Sequence, residues 1–230
     1  MEPLVSYVDE LAARARTLAT PGGPRRVIGI AGPPGAGKST LASAVVEALG
    51  GLAVLVPMDG FHLADAELAR LGRADRKGAP DTFDAYGYAA LLARIRSPRE
   101  GETVYAPCFE RELEEPVAGA LPVPPGVPLV VTEGNYLLLD EEPWSSAVRP
   151  LLDEVWWVAV DDGVRVDRLI ARHVEFGKSP SFARDWVLRS DEANARRVAP
   201  GRERADVVVE LNTDTGTGRL ALTPGRASRA

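Results

Sequence analysis

The sequence has one cysteine, two histidines and no excess of basic residues. A lone cysteine, Cys108, cannot form an internal disulfide and is too little for a thiolate zinc site, which fits a reducing compartment. The formal net charge is -6, so the chain lacks the positive charge that holds nucleic acid or an anionic membrane. We therefore expect a cytoplasmic protein that binds neither nucleic acid nor membrane.

Long apolar segments are also missing. Asp9, Glu10, Arg14 and Arg16 interrupt the apolar residues near the start of the chain, which excludes a signal-peptide core or a membrane span there. Residues 212–230 contain Thr, Gly, Arg and Ser with few large apolar side chains, too few to offset the entropy of ordering them. We expect one domain over residues 1–211 and a flexible tail over 212–230.

Short apolar runs alternate with segments of helical periodicity along the chain. The runs at 27–30, 52–56, 129–132, 155–160 and 207–209 predict strands buried on both faces of a sheet. Helical spacing predicts helices at 4–20, 38–49, 64–72, 85–96, 163–176 and 180–197, and the stretches 73–84 and 115–128 are interpreted as loops. The order βαβα predicts an α/β fold with a mostly parallel, five-stranded sheet between layers of helices. Ligands are expected at the carboxyl ends of its strands.

A glycine-rich turn after the first strand matches the pattern G-x-x-x-x-G-K-[ST] at every fixed position. Its backbone N–H groups and the following helix N-terminus attract phosphates, Lys38 reaches the β- and γ-phosphates, and Ser39 can bind Mg²⁺. The alternative is a turn that merely caps a helix, but the flanking strand and helix favour a P-loop. The predicted ATP-binding residues are Gly32, Pro33, Pro34, Gly35, Ala36, Gly37, Lys38, Ser39 and Thr40.

Four further motifs follow in a set order, at residues 58–62 (MDGFH), 76–84 (RKGAPDTFD), 105–109 (YAPCF) and 132–136 (TEGNY). Together with the P-loop they resemble the uridine kinase, phosphoribulokinase and pantothenate kinase family over residues 26–211. The EGNY motif and the run FERELE at 109–114 are most similar to its nucleoside/nucleotide kinase-like, or fructose-transport-kinase-like, branch. The resemblance implies a P-loop fold with a helical lid at about 163–197, and a kinase that uses ATP and Mg²⁺.

The same resemblance implies roles for residues around the phosphates. Asp59 matches the base that accepts the proton of the acceptor hydroxyl, and Glu133 matches a carboxylate that supports Mg²⁺ together with Ser39. Arg168 and Arg172, with Lys38, are expected to stabilise charge on the transferred group. Each has an ordinary alternative: Asp59 can begin an Asp-Gly turn, Glu133 can be a solvated strand end, and the arginines can form a charged helix face.

The acceptor is expected to be a small metabolite with a hydroxyl group. The residues assigned to it are Asp59, His62, Arg76, Lys77, Phe109, Arg111 and Tyr136. Nucleosides, pantothenate-like molecules and sugars remain open, as does the oligomeric state, a homodimer included. A nucleotide-sensing or accessory P-loop NTPase is the competing hypothesis. The presence of both Asp59 and Glu133 argues against a sensor, because a sensor needs no base.

Overall fold

Strands and helices alternate along the computed structural model, which describes residues 3–20, 22–212 and 217–222. The strands are β1 (Arg26–Ala31), β2 (Ala53–Leu55), β3 (Val104–Glu110), β4 (Glu115–Val123), β5 (Leu129–Gly134), β6 (Glu154–Ala159), β7 (Val207–Asn212) and β8 (Thr217–Leu222). The helices are α1 (Pro3–Leu18), α2 (Lys38–Leu49), α3 (Asp65–Arg70), α4 (Ala85–Arg96), α5 (Asp162–Glu175), α6 (Pro180–Trp186) and α7 (Glu192–Val198). Among these residues no helix is both long and apolar enough to cross a membrane.

One six-stranded sheet has the order β2-β5-β1-β6-β7-β8. The first five strands in this order are parallel, and β8 pairs antiparallel with β7. Every residue of β5 is buried because helices cover both faces of the sheet. One apolar cluster includes residues of α4, and the other includes residues of α1 and α2. The predicted α/β sandwich is thereby confirmed, with one more strand than expected.

The prediction of a loop over residues 115–128 is wrong for the first part of that segment. Residues 115–123 form β4, which pairs with β3 in a separate two-stranded sheet. Pro116 and Pro122 of β4 suggest a loop, because proline removes a donor from a central strand. Both strands of a two-stranded sheet are edge strands, where proline is tolerated.

The expected flexible tail over 212–230 is also wrong in part. Residues 217–222 form β8, and an added Cβ at Gly218 would lie 2.6 Å from the ring of Tyr7 on α1. The small residue therefore allows the strand to pack closely on the helix, while backbone pairing with β7 supplies the hydrogen bonds. Residues 213–216 and 223–230 of that prediction lie outside the described residues.

The sheet brings the predicted motifs to one edge. Parallel strands end on the same side, so the turn after β1, the turn after β2 and the end of β5 are neighbours. The P-loop follows β1, and Asp59 lies in a short helical turn (Met58–Phe61) after β2. Glu133 is the second-to-last residue of β5. The predicted helix 180–197 is divided into α6, a wide helical turn at Val187–Asp191, and α7.

Candidate active site

The P-loop is a closed turn held by its own backbone and by Lys38. Gly35 and Gly37 have φ of +77° and +92°, which side chains other than glycine rarely adopt. An added Cβ at Gly35 would also lie 2.7 Å from the carbonyl oxygen of Arg165 on α5. Lys38 begins α2, and its Nζ donates a hydrogen bond of 3.0 Å to the carbonyl oxygen of Pro33. This geometry is suited to cradling phosphates at the N-terminus of α2.

Two carboxylates lie beside the P-loop. Glu133 is 4% exposed, and its Oε1 accepts a hydrogen bond of 3.0 Å from Ser39 Oγ. The side chain of Asp59 is 30% exposed, and its Oδ2 lies 3.7 Å from an Nη atom of Arg111. The more buried carboxylate is therefore tied to the P-loop, while the more open one faces the cavity beside an arginine.

Burial shifts the pKa values of Glu133 and Lys38 in the directions that favour their neutral forms. It raises the pKa of Glu133 to about 7, and the negative charge of Asp59 adds to this effect. Burial also lowers the pKa of Lys38, although Glu133 and Asp59 oppose this shift. Both pKa shifts favour the neutral form, because the cost of burying each charge exceeds the attraction between the two.

The raised pKa of Glu133 predicts how stability depends on pH. An acid whose pKa is higher in the folded chain binds more protons when folded, so the free energy of unfolding falls as the pH rises from about 4.5 to about 7. Relative to the Glu133→Gln variant, the free energy of unfolding of the wild type should fall by on the order of 1 to 3 kcal/mol across this pH range. Urea unfolding at several pH values, without nucleotide or divalent cations, measures it. Parallel curves for the two proteins would contradict the prediction.

A buried hydrogen-bond chain joins the strands that carry these carboxylates. Thr132 Oγ1 donates to the carbonyl oxygen of Val56 at 2.6 Å, so it accepts from the hydroxyl of Tyr88 at 2.5 Å. Thr132 precedes Glu133, and Val56 lies three residues before Asp59. Tyr88 lies on α4 and is not among the residues predicted from the sequence, where it gives no signal beyond helical spacing.

His62 extends the site away from the P-loop. Its Nδ1 lies 2.8 Å from the carbonyl oxygen of Asp59, and a carbonyl can only accept, so Nδ1 carries the proton. Burial lowers the pKa of His62, which favours the neutral ring. The ring packs between Phe83 and Phe109, with centroid distances of 4.0 and 4.8 Å. Nε2 of a neutral imidazole with this tautomer is a hydrogen-bond acceptor.

Two cationic side chains of the predicted acceptor motifs lie near the ring of Phe109. Lys77 Nζ lies 5.5 Å from the ring centroid, and the guanidinium carbon of Arg111 lies 6.0 Å from it. Lys77 also donates to Asp65 Oδ1 and to the carbonyl oxygen of Glu114, each at 2.6 Å. The hairpin β3–β4 therefore places Arg111 between Phe109 and Asp59, where it can reach a molecule bound beside the carboxylate.

The lid contributes Arg172. Burial lowers the pKa of Arg172, and the nearby charge of Arg111 acts in the same direction. Arg165 lies on the same helix and is 1% exposed. Its Nη1 donates a hydrogen bond of 3.3 Å to the carbonyl oxygen of Pro34. Arg165 also pairs with Glu192 of α7. The helix α5 is therefore fixed to both the P-loop and the end of the lid.

Most of the predicted residues meet in one cavity of about 610 Å³. Those that line it are Pro34, Gly35, Lys38, Ser39, Asp59, His62, Lys77, Phe109, Arg111, Glu133 and Arg172. Six lid residues that were not predicted as site residues also line the cavity: His173, Phe176, Lys178, Phe182, Trp186 and Asp191. Their spacing is that of ordinary helices, and the sequence does not show that this face turns toward the P-loop.

Eight predicted residues are not among those lining the cavity. Five of them belong to the P-loop, namely Gly32, Pro33, Ala36, Gly37 and Thr40. The other three are Arg76, Tyr136 and Arg168. Arg76 pairs with Asp81 at 2.8 Å on the surface. Tyr136 is fully buried, its hydroxyl donates to the carbonyl oxygen of Gly78, and burial raises its pKa. Arg168 is exposed on α5, with its Nη1 3.8 Å from an added Cβ at Gly37. Arg76 and Tyr136 thus hold the loop at 76–82, and Arg168 reaches the P-loop near Gly37 without lining the cavity.

The oxygens near the P-loop fit one metal in particular. Mg²⁺ prefers a few protein oxygens together with phosphate oxygens and water, rather than a cage of protein ligands. Ser39 Oγ and Glu133 Oε1 are oxygen donors 3.0 Å apart, and in the described part of the chain no group of three or more His, Cys, Asp or Glu residues could hold a metal. The donor set suits Mg²⁺ that arrives with ATP.

A P-loop at the end of a parallel strand, with carboxylates on two neighbouring strand ends and a helical lid, defines a P-loop kinase. The chain belongs to the phosphoribulokinase / uridine kinase family, whose sequence model matches residues 27–217. This confirms the resemblance stated above. An ATP-dependent kinase of the uridine kinase and phosphoribulokinase type follows from the family.

The chain is similar to proteins from fungi and bacteria. It is 38% identical over 153 residues to the ATP-dependent kinase-like protein notR' of Aspergillus versicolor, covering 63% of this chain and 88% of that protein. It is 33% identical over 219 residues to a candidate uridine kinase, C227.14, of Schizosaccharomyces pombe, covering 90% and 92%. A solved structure, a candidate fructose transport system kinase from Silicibacter sp. TM1040, has 33% identity and a TM-score of 0.74, covering 84% of this chain and 94% of that one.

Proposed function

We propose that the protein transfers the γ-phosphoryl group of ATP to a hydroxyl of a small metabolite, in the cytoplasm and with Mg²⁺. The observation that carries this proposal is the position of Asp59. Its carboxylate opens into the same cavity as Lys38 and lies beside Arg111, with space beyond it for an acceptor. A carboxylate in that place can accept the proton of an attacking hydroxyl.

The remaining residues have roles that follow from their contacts. Lys38 Nζ, now hydrogen-bonded to the carbonyl oxygen of Pro33, is close enough to the P-loop turn to bind the β- and γ-phosphates instead. Ser39 and Glu133 would hold Mg²⁺, which neutralises charge on the phosphates. His62, Lys77, Phe109 and Arg111 form the wall for the acceptor.

A screen for acceptor-dependent ADP formation tests the proposal. Purified protein is incubated with ATP, Mg²⁺ and single members of a panel of nucleosides, pantothenate and sugars. ADP release that requires one acceptor, with the phosphorylated product detected by mass spectrometry, supports a kinase. ATP binding without turnover on any acceptor would contradict the proposal and favour nucleotide sensing.

Arg172 should act mainly in the transition state. Arg172→Ala is expected to lower kcat at least about tenfold while changing the KM for ATP less, because its cation faces the site where charge develops. Arg168→Ala is the matched variant from the previous turn of α5, and it should cost less because Arg168 is exposed outside the cavity. Initial-rate kinetics measure both. A rise in KM with unchanged kcat would assign Arg172 to ground-state binding.

A further inference from the structure

The lid exposes aromatic rings to the cavity. Phe176 is 42% exposed and Phe182 is 47% exposed, and both line the cavity. Trp186, which is partly exposed, lines it as well. The other large apolar side chains that are exposed in the described residues, such as Tyr86 and Leu188, do not line it. Phe176, Phe182 and Trp186 are thus placed where a bound molecule could cover their rings.

These rings form an ordered surface. Phe182 and Trp186 are four residues apart on α6, on one face of the helix, with ring centroids 5.9 Å apart and an interplanar angle of 23°. Lys178 lies 5.9 Å from the centroid of Phe182. Across the chain, Phe109 and His62 supply a second pair of rings to the same cavity. We call Phe109, Phe176, Phe182 and Trp186 the aromatic wall.

The phosphates of ATP do not account for the aromatic wall. The P-loop residues that line the cavity are Pro34, Gly35, Lys38 and Ser39, and they bind phosphate through backbone N–H groups, an ammonium and a hydroxyl. A phosphate gains nothing from an apolar ring, whereas an apolar group does, because water is released from both surfaces. A small, fully hydrophilic acceptor would leave the rings in contact with water.

We propose that the acceptor is an amphipathic alcohol, with a hydroxyl at Asp59 and an apolar portion that lies against the aromatic wall. This inference rests on the proposed function, since it concerns the acceptor of that reaction. The class of acceptor is thereby narrowed from any small metabolite with a hydroxyl group to one that also has an apolar portion. The charged residues near the rings, Lys77, Arg111 and Lys178, then contact its polar groups.

Three acceptors that share one head group test the proposal: glycerol, glycerol monophenyl ether and glycerol monohexyl ether. The expected kcat/KM is at least about tenfold higher for both ethers than for glycerol. Phe182→Ser should remove most of that advantage, Phe182→Leu should keep part of it, and none of the variants should change the KM for ATP. Leu188→Ser is the matched control, because Leu188 is 48% exposed on the lid but does not line the cavity.

Binding can be measured without turnover through Trp186. The other three tryptophans, Trp144, Trp156 and Trp157, are at most 4% exposed, so a change in tryptophan fluorescence on adding the hexyl ether would report on Trp186. Trp186→Phe should abolish the signal and retain binding, checked by calorimetry.

Several results would overturn the inference. The first is equal kcat/KM for glycerol and the ethers, and the second is equal effects of Phe182→Ser and Leu188→Ser on kcat/KM. The third is no binding or turnover with either ether. The fourth is a raised KM for ATP alone in Phe182→Ser, which would mean that the rings contact the adenine instead of the acceptor. Failure of the proposed function has a different signature. In that case the ethers bind at Trp186 but no acceptor receives phosphate, whereas glycerol used as well as the ethers leaves the kinase intact and removes the apolar subsite.

Discussion

Lys38→Ala should abolish phosphoryl transfer and weaken the binding of ATP about tenfold to a hundredfold. The ammonium is the charge that the P-loop places at the β- and γ-phosphates, and a hydrogen bond to a charged group typically contributes about 1.5 to 3 kcal/mol. The fold should survive, because burial already disfavours the charge on Lys38 in the ligand-free protein. Coupled ADP assays and calorimetric titration with Mg²⁺ and ATP measure the two effects.

Thermal unfolding of the same variant separates a lost contact from a lost fold. A melting temperature at or above that of the wild type is expected, since the alanine removes a buried cation. Lys38→Arg serves as a second control, because it keeps the charge but not the compact ammonium. Full kinase activity in Lys38→Ala would show that the cavity is not where ATP reacts.

Asp59→Asn should retain ATP and acceptor affinity within a few-fold while kcat falls by about 10² to 10⁴. Asparagine keeps the shape of the side chain and loses the proton-accepting carboxylate. In a loose phosphoryl transfer the hydroxyl proton leaves late, and a carboxylate that mainly orients the nucleophile would place the loss at the lower end of this range. Steady-state kinetics with the acceptor found in the screen give the values.

Two other outcomes would reassign Asp59. Loss of ATP binding with an intact fold would make it a metal ligand. Full activity would make it a turn residue, as its Asp-Gly sequence allows, and Glu133 would be the next base to test. Glu133 lies on the neighbouring strand, and its raised pKa means that it holds a proton more readily than an ordinary carboxyl.

The parts of the fold that follow from local sequence were predictable. The P-loop pattern needs one strand, one turn and one helix in succession, and the spacing of Leu41, Val45 and Leu49 already places α2. The helix at 85–96 has the predicted bounds, because Asp84 caps it by accepting a hydrogen bond from the backbone of Gly87. The family comparison confirms the class of enzyme.

The parts that depend on distant contacts were not predictable. The aromatic wall requires the hairpin and the lid to face each other, although β4, β5 and β6 lie between Phe109 and Phe182 in sequence. Arg76 matches its motif but pairs with Asp81, only five residues away, so the motif could not show that the side chain turns outward. The roles assigned to individual site residues stay predictions until the variants are measured.

One carbonyl group connects the two sides of the active site. The oxygen of Gly78 accepts a hydrogen bond from Tyr136, which follows β5, and one of 3.4 Å from Asn194 on α7 of the lid. The neighbouring Lys77 belongs to the acceptor wall. A displacement of the lid or of this loop would therefore alter hydrogen bonds to the same carbonyl oxygen. By thermodynamic linkage, any factor by which ATP changed the affinity for acceptor would equal the factor by which acceptor changed the affinity for ATP. A coupling carried by Gly78 would therefore be measurable from either substrate.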